Sequence, residues 1–525
     1  MTPSDKNVFT QPQAGTLAHD ESPEAKALIT GSRSFFGHPG GLSTLFFTEM
    51  WERFSYYGIR PLLVLFMTAA LANGGFAFSR EAASAIVGIY ASSVYLASLP
   101  GGWIADRWLG LQRSIWWGGV LIALGHLSIA LSALFAHSAF FLGLVLIVMG
   151  TGLLKPNISA LVGNLYPEGG PRQDSGFAVF YMGINLGAFV APFFTGTLGE
   201  KVGWHYGFGV AGIGMLCGLL TFRARAKRTL GPFGARPSGT PAQQRMVRNA
   251  SFGFLVVIAL IMAFAMSGMI VINPLYVAER MTFIIGGLAL AYFAYLFLGA
   301  GLSRDEMKRT AVIVILFVFA AVFWSAYEQA PTSLNLFARD FTDRRIFGWE
   351  MPTLFLQSAT PFFVILLSPV FAAIWLFLGK RGIDLSSPTK FAFALFAAGL
   401  SYLIMVSATN QVISGGGVGI RVSVWWLIVT FFLQVVGELA LSPVGLSTVT
   451  KLAPPRFVGQ MMGVWFMSIA LGNLVAGLIG GKVDPEKLAQ MPALFQHTAY
   501  TLFIAAALLA LLIVPIRRML ETREA

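Results

Sequence analysis

The 525-residue sequence carries little charge and almost no thiol: 11% of its residues are charged, and Cys217 is the one cysteine. Soluble domains have about 25% charged residues. The low share of charge, with 56% hydrophobic residues, therefore indicates an integral membrane protein. A single cysteine excludes intramolecular disulfides and thiolate-rich metal centres. Alternation over about 10 residues, which marks transmembrane β-strands, is also missing. The predicted fold class is an all-α polytopic membrane protein.

Signatures of catalysis and nucleotide binding are absent as well. The string nearest to the P-loop motif GxxxxGK[ST] is "AGLIGGKV", which lacks the first glycine and the terminal Ser or Thr. Neither HExxH nor GxSxG occurs, which argues against a metallohydrolase or a serine hydrolase. We therefore expect a protein that is not an enzyme and that has neither a metal site nor an organic cofactor.

Long apolar runs separated by short polar breaks dominate what is present. A transmembrane helix needs about 20 mainly apolar residues, and fourteen such runs can be counted. Their six-plus-two-plus-six pattern is typical of a major facilitator fold, with two six-helix bundles and an inserted hairpin. The predicted divisions are a tail at 1–41, a first bundle at 42–222, a basic linker at 223–250, the hairpin at 251–302, a second bundle at 311–516 and a tail at 517–525.

The net charge of +12 is explained by orientation in the membrane. Most Lys and Arg residues fall in loops on one side, and the densest group is in the linker: Arg223, Arg225, Lys227, Arg228, Arg236, Arg245 and Arg248. Positive residues favour the cytoplasmic side, so both termini are predicted to be cytoplasmic. Nucleic acid is not expected as a partner. A cleavable signal peptide is not expected either, because the first ~30 residues are polar.

The first apolar run, "FFTEMWERFSYYGIRPLLVLFM" at 46–67, is interrupted by four charges. On a helix that advances about 100° per residue they share one face: Glu49, Glu52, Arg53 and Arg60. A charge at the centre of a transmembrane helix costs about 2.5 to 3.5 kcal/mol, so we expect the stripe to face a polar cavity. Other ionisable residues in later runs would line the same cavity: Lys155, Glu328 and Glu438. The alternative is a set of intrahelical ion pairs that only holds the helix in place.

Several strings resemble signatures of the proton-dependent oligopeptide transporter (POT) family. "EMWERFSYYGIR" is similar to the family's ExxERF motif, "GGWIADRWLG" to its second loop signature and "FYMGINLG" to its fifth-helix signature. "FWSAYEQ", "GELALSPVGLS" and "MMGVWFMSIALGN" extend the likeness through the second half. The resemblance implies a multi-pass symporter of a bacterial inner membrane, functional as a monomer. Such a protein would use protons as the coupling ion and import dipeptides and tripeptides by alternating access.

The resemblance also implies roles for individual residues. Proton coupling would rest on five of them: Glu49, Glu52, Arg53, Lys155 and Glu328. Peptide binding would use charges, an amide and an aromatic wall: Arg53, Tyr57, Tyr95, Lys155, Asn185, Trp324, Glu438 and Trp465. The extracellular gate would be formed by Arg60 and Glu328, and a latch in a cytoplasmic loop by Asp106, Arg107 and Arg113. A zwitterionic peptide needs a cationic pocket at one end and an anionic pocket at the other, which suits this assignment.

Two positions depart from the family pattern. Thr360 in "QSATP" stands where a peptide-binding asparagine is common, and Ala91 stands where animal members have a histidine. His126 and His205 are expected to be packing or interfacial residues. Two other functions remain open: transport of another small anion or peptide-like compound, and ligand binding without transport. The intact ExxER acids favour peptides over other anions, and they favour transport over binding alone.

Overall fold

The structure, a computed structural model, describes residues 35–167, 170–383, 385–417 and 419–521. Most of the predicted tail at 1–41 lies outside these ranges. The helices of the first half are α1 (Gly40–Thr68), α2 (Arg80–Ile104), α3 (Leu111–Ala130), α4 (Ser132–Asn164), α5 (Gly170–Gly196) and α6 (Trp204–Thr229). Wider helical turns extend α2 over Ala105–Leu109 and α5 over Thr197–Val202.

The inserted hairpin and the second half follow in chain order. Their helices are α7 (Pro241–Met266), α8 (Pro274–Leu298), α9 (Arg304–Tyr327), α10 (Asn335–Phe341), α11 (Ala359–Lys380), α12 (Ser387–Ser414), α13 (Trp425–Leu452), α14 (Val458–Gly480) and α15 (Met491–Glu521). Four two-residue strands lie in loops: β1 (Thr342–Asp343), β2 (Arg345–Ile346), β3 (Trp349–Glu350) and β4 (Val422–Ser423). β1 pairs in parallel with β4, and β2 pairs antiparallel with β3.

The number of spanning helices agrees with the sequence. Among the described residues, 13 helical segments are long and apolar enough to cross a membrane. α1 is not in that set although it has 29 residues, because it carries four charges. With α1 the total reaches the predicted fourteen.

The boundaries differ from the prediction mainly around the linker. α6 continues to Thr229 and α7 begins at Pro241, so the non-helical segment is 230–240 rather than 223–250. Thr240 and Gln243 form a capping box that starts α7. Arg and Lys are good helix formers, so a basic run at the end of a spanning helix can remain helical. The second half is also longer than predicted, running from Arg304 to Glu521.

Each half is a bundle with its own packing. α1 packs on α5 and α6, and α3 on α4 and α6; in the second half α12 packs on α13 and α15, and α9 on α14. The halves meet where α2 packs on α14 and α5 on α11. α8 lies along the seam between α2 and α14. α7 buries only Val247 among its described residues, so its apolar side chains face outward.

Two glycines bring α5 close to α1. Gly183 and Gly187 are four residues apart and share a helix face. A side-chain carbon at Gly187 would lie 2.1 Å from the Met50 carbonyl oxygen, and one at Gly183 would lie 2.8 Å from the Phe46 ring. Small residues at this spacing allow close helix approach in a bilayer. The glycines therefore fix α5 against the turn of α1 that contains Glu49.

The two ends of the bundle differ. We call the end where α1 stops and α2 starts the closed end, and the end with residues 230–240 the linker end. Among the described residues, the hydrogen bonds and ion pairs between the halves lie toward the closed end: Arg60–Glu328, Arg60–Asn473, Arg80–Asp340, Arg80–Val483, Arg80–Asp484, Lys487–Glu81, Asn335–Pro61, Arg339–Thr68, Glu200–Thr353, Glu200–Leu354 and Ser358–Phe189. The polar links thus hold the halves together on one side of the central residues.

Candidate functional site

The charged stripe of α1 is a compact buried cluster. Glu49, Glu52 and Arg53 are each at most 3% exposed. Arg53 Nε lies 2.9 Å from Glu49 Oε1 and 2.5 Å from Glu52 Oε2. The Arg53 guanidinium also lies over the Tyr56 ring, 5.4 Å from its centre. One guanidinium therefore faces two carboxylates, so the intrahelical ion pairs considered as an alternative do form.

These contacts satisfy charge better than they satisfy hydrogen bonding. Neither oxygen of Glu52 accepts a hydrogen bond from a described residue, and Arg53 Nη2 is buried without an acceptor among them. A buried charge that lacks hydrogen bonds carries a desolvation cost that Coulombic attraction only partly offsets. A proton on Glu52, or a carboxylate placed against Arg53, would lower that cost. The cluster can therefore bind both a proton and an anion.

Lys155 adds a second cation from α4. It is half-buried, and its Nζ lies 4.1 Å from the centre of the Tyr95 ring on α2. Arg53 repels its charge, and Glu52, Glu49 and Glu328 attract it. It forms no ion pair with any residue in the described ranges. A cation over an aromatic face is stabilised while its N–H donors stay available. Lys155 is thus placed to donate to a ligand carboxylate.

The second half contributes a carboxylate with a neutral partner. Glu438 on α13 is half-buried and accepts a hydrogen bond from the Tyr327 hydroxyl at the end of α9. Within the part of the chain that the structure describes, Glu438 has no basic partner. Trp324 is 5% exposed, and its Nε1–H has no described acceptor. This side of the centre can therefore accept a cationic group and donate one indole hydrogen bond.

Arg60 and Glu328 connect the halves. Arg60 Nη2 lies 2.5 Å from Glu328 Oε2 and 2.6 Å from Asn473 Oδ1. The pair joins α1 to the end of α9, and Asn473 extends it to α14. The pairing expected from the sequence is thus present, and it lies toward the closed end.

The other predicted binding residues divide into two groups. Tyr57 and Tyr95 are half-buried beside the charged cluster. Trp465 is 2% exposed and packs on Phe391, with ring centres 6.1 Å apart. Asn185 is 8% exposed, and its Nδ2 donates to the Tyr181 carbonyl of its own helix. In this structure Trp465 is engaged in packing, and Asn185 in a hydrogen bond within its own helix.

The two positions that depart from the family pattern lie on different helices. Thr360 is half-buried in the first turn of α11, and Ala91 is fully buried in α2. His126 is buried, with Nε2 2.5 Å from the Ser55 hydroxyl oxygen. His205 packs edge-on against Phe66, with ring centres 5.7 Å apart. Both histidines lie at packed positions within the first half.

The loop that carries the predicted latch lies against the linker. In the described ranges Asp106, Arg107 and Arg113 form no ion pair with one another, and Arg113 is exposed. The loop is held to the linker instead: Ser238 N and Oγ donate to the Asp106 carbonyl at 2.8 and 2.9 Å. Gln112 Nε2 donates to two linker carbonyls at 2.6 and 2.9 Å. A motif confined to residues 101–113 could not indicate these distant partners.

Sequence analysis did not single out Tyr327 and Asn473, the partners of Glu438 and Arg60. Both lie in the strings "FWSAYEQ" and "MMGVWFMSIALGN". An amide within an apolar run was the available signal for Asn473, since buried polar groups need partners. For Tyr327 the signal was weaker, because its partner is 111 residues away along the chain.

Comparisons with known proteins agree with one another. A family model described as the POT family matches residues 112–492. The chain is 51% identical over 500 residues to the peptide transporter YePEPT of Yersinia enterocolitica subsp. palearctica serotype O:3 (strain YE-P4), covering 94% of this chain and 98% of the relative. It is 40% identical over 449 residues to a di-/tripeptide transporter of Lactococcus lactis subsp. lactis (strain IL1403), covering 83% of this chain and 88% of the relative.

A solved structure shows the same fold. The crystal structure of a mutant of the peptide transporter POT in complex with alafosfalin superimposes with a TM-score of 0.85 and 38% identity, covering 95% of this chain and 100% of that chain. The likeness extends over both halves and the hairpin between them. It confirms the predicted major facilitator fold.

Proposed function

The chain belongs to the POT family, a family of membrane transporters, and from that premise we propose that it is a proton-coupled symporter that imports dipeptides and tripeptides by alternating access. The relatives named above are a peptide transporter and a di-/tripeptide transporter. We therefore expect the transported compound to be a short peptide.

One observation carries the proposal. Each half presents to the centre one charge that has no charged partner among the described residues, and the two have opposite signs: Lys155 in the first half and Glu438 in the second. A peptide is a zwitterion, so its carboxylate can accept from Lys155 and Arg53 while its ammonium donates to Glu438. A ligand that satisfies both charges at once also connects the two halves.

Proton coupling is assigned to the acids of α1. Glu52 shares the Arg53 guanidinium with Glu49 and accepts no hydrogen bond of regular geometry from the described residues, so its buried charge is only partly offset and a proton can neutralise it. Arg53 then loses one ionic partner and can bind the peptide carboxylate more strongly. Proton and peptide would thus bind with positive coupling, which by linkage is reciprocal.

Closure is assigned to the pair of Arg60 and Glu328. Their contact links the halves toward the closed end. Opening that end requires the pair to separate, and Glu328 also contributes to the electrostatic environment of Lys155. Exchange of Glu328 between Arg60 and Lys155 would connect rocking of the halves with ligand binding.

The remaining assignments complete the proposal. The protein lies in a bacterial inner membrane with both termini in the cytoplasm, which the side preference of its Lys and Arg residues supports. It acts as a monomer, uses protons as the coupling ion and requires no metal or organic cofactor. Its two halves each supply part of the site, so one chain is sufficient.

Uptake of labelled dialanine into proteoliposomes tests this function. A gradient of one pH unit supplies about 1.36 kcal/mol per proton, and 100 mV supplies about 2.3 kcal/mol per charge. We expect accumulation with an inward proton gradient, loss of accumulation with a protonophore and no requirement for sodium. Uptake that persists with the protonophore and requires sodium would contradict proton coupling. Binding of dialanine without counterflow would instead indicate a protein that binds and does not transport.

A further inference from the structure

A cleft lined by basic and apolar residues opens at the linker end of the second half. It has a volume of about 820 Å³ and is bounded by α9, α11, α12, α13 and α15. Three basic residues from three helices line it: Lys390, Lys451 and Arg517. Lys451 is 13 residues beyond Glu438 on α13, about 20 Å along the helix. The cleft is therefore separate from the central site, and the transport mechanism assigns its cations no role.

The lysines are available to an anion. Lys390 is half-buried, and its Nζ lies 4.7 Å from the centre of the Trp375 ring. Contact with an aromatic face positions the ammonium and leaves its N–H donors available. Lys451 is exposed at the cleft. Neither lysine forms an ion pair with the residues described. From 380 to 390 the sequence has three bases and one acid, Asp384, so the local charge is positive.

Hydroxyl groups surround the lysines. Thr448 Oγ1 lies 2.7 Å from both Ser387 Oγ and the Val444 carbonyl oxygen, and the hydroxyl oxygens of Ser386 and Thr389 are 2.8 Å apart. The Ser386 side chain therefore bonds to Thr389 Oγ1 and does not cap the backbone N–H groups at the start of α12. One hydroxyl hydrogen bridges Ser386 and Thr389, so the other hydroxyl hydrogen of this pair and the uncapped N–H groups of α12 remain as donors beside the lysines, which suits a ligand with several acceptor oxygens.

The rest of the cleft is apolar and continuous with the outer surface. Trp375, Ile513 and Leu520 line it beside the cations. Leu376 and Leu511, next to these residues on α11 and α15, are 67% and 74% exposed. In a spanning helix, such outward apolar side chains face lipid tails. A small soluble anion would need the cations alone, whereas a phospholipid uses both the cations and the apolar wall.

We propose that this cleft binds the headgroup phosphate of an anionic phospholipid from the cytoplasmic leaflet. The phosphate contacts Lys390 and Lys451, and an acyl chain leaves the cleft along α11 or α15. The linker end is the cytoplasmic end in the orientation proposed above. Basic pockets between transmembrane helices on that side attract anionic headgroups. The site lies apart from the peptide site, so it is testable whatever the transported compound is.

Native mass spectrometry of the purified full-length protein tests the proposal. The protein is mixed with equal amounts of phosphatidylglycerol and phosphatidylcholine, and the bound lipids are counted. We expect wild type to retain phosphatidylglycerol preferentially. The double variant Lys390→Gln/Lys451→Gln should retain at least about fivefold less, which corresponds to about 1 kcal/mol. The matched control Lys227→Gln removes an exposed charge from the linker end of α6, outside the cleft, and should retain phosphatidylglycerol as wild type does.

A second variant distinguishes loss of the site from misfolding, and a second ligand distinguishes a lipid from a soluble phosphate compound. Lys390→Arg/Lys451→Arg preserves both charges and should restore the preference, which also shows that loss in the Gln variant is not misfolding. Inorganic phosphate at millimolar concentration should not displace phosphatidylglycerol from wild type. Equal retention by wild type and the Gln double variant would overturn the site. Displacement by inorganic phosphate would overturn the lipid and indicate a soluble phosphate compound instead.

Discussion

The two halves bring charge to the centre of the molecule in different ways. Apart from the Arg60–Glu328 pair, which joins the halves, the first half provides two acids and two bases, namely Glu49, Glu52, Arg53 and Lys155, whose formal charges cancel. The second half provides Glu438, whose described partner is the neutral Tyr327 hydroxyl. In the first half a proton changes a balance of charge that already exists. In the second half the cationic group of a ligand supplies the positive charge that Glu438 lacks. The proposed function accordingly places proton coupling in the first half and recognition of the ammonium in the second.

The largest expected effect is that of Glu52→Gln, which tests the coupling side of this comparison. The amide keeps the side-chain volume but cannot take up a proton, so accumulation of dialanine against a gradient should be abolished. Counterflow exchange of peptide should continue. Both are measured in proteoliposomes.

Glu279→Gln is a matched control, because Glu279 is an exposed acid on α8 of the hairpin. This variant should accumulate peptide as wild type does. If Glu52→Gln still concentrates dialanine, the coupling proton is carried elsewhere and the contrast between the halves is wrong.

The next effect concerns the two charges without charged partners. Lys155→Ala and Glu438→Gln should each weaken dialanine binding, because loss of a partner for a desolvated charge costs about 2 to 5 kcal/mol. This corresponds to roughly 30-fold or more in Kd. Competition with C-amidated and N-acetylated dialanine shows which end of the peptide each residue binds.

Wild type should reject both blocked ligands. Lys155→Ala should no longer discriminate against the amide, and Glu438→Gln should no longer discriminate against the acetylated form. Free dialanine bound by either variant as tightly as by wild type would show that the peptide terminus is held by another residue. The two halves would then not divide the ligand between them.

Sequence alone predicts the first half of the site better than the second. The stripe on α1 is visible because Glu49, Glu52 and Arg53 are close in sequence and their relative positions follow from helix geometry. The bond between Tyr327 and Glu438 joins two helices, and the burial of Trp465 against Phe391 depends on a third. Those contacts arise from tertiary packing, which helix periodicity does not encode. The helix count follows from the apolar runs and was therefore predictable. The docking of the linker on the Asp106 loop is a tertiary contact and was not.

Close helix packing allows a test of how the first half positions its charges. Gly187→Ala places a carbon about 2 Å from the Met50 carbonyl oxygen, so α5 must move away from α1. Overpacking of this kind typically destabilises by about 1 to 3 kcal/mol. The thermal unfolding midpoint in detergent should fall, and proton-driven uptake should fall with it.

Gly286→Ala in α8 is the matched control, since no atom lies within 4 Å of the added carbon. Its stability should be equal to that of wild type or slightly higher, because alanine favours a helix. Unchanged stability and uptake in Gly187→Ala would mean that α1 tolerates displacement and that its charges need no rigid support from α5.

The smallest effect concerns a pH dependence outside the charged cluster, at His38 before α1. Its Nδ1 lies 2.9 Å from the Tyr166 hydroxyl oxygen and its Nε2 lies 3.3 Å from Ser175 Oγ. Burial, and then the positive charge of Arg172, lower the pKa of His38 below 6.5. The unfolded chain therefore binds this proton more tightly than the folded chain does.

The sign of the effect follows from linkage. The stability that His38 contributes is present above pH ~6.5 and declines as the pH falls toward the folded-state pKa, by at most about 1.36 kcal/mol per pH unit for one proton. The unfolding midpoint of wild type should thus fall more steeply below pH ~6.5 than that of His38→Gln, which cannot take up this proton. Glu52→Gln should keep the steeper, His38-dependent slope although it loses proton-driven uptake. If His38→Gln has the same slope as wild type, His38 does not set the pH dependence of stability. If Glu52→Gln has the flatter slope, one group controls both pH responses and the cluster is not independent of the His38 contact.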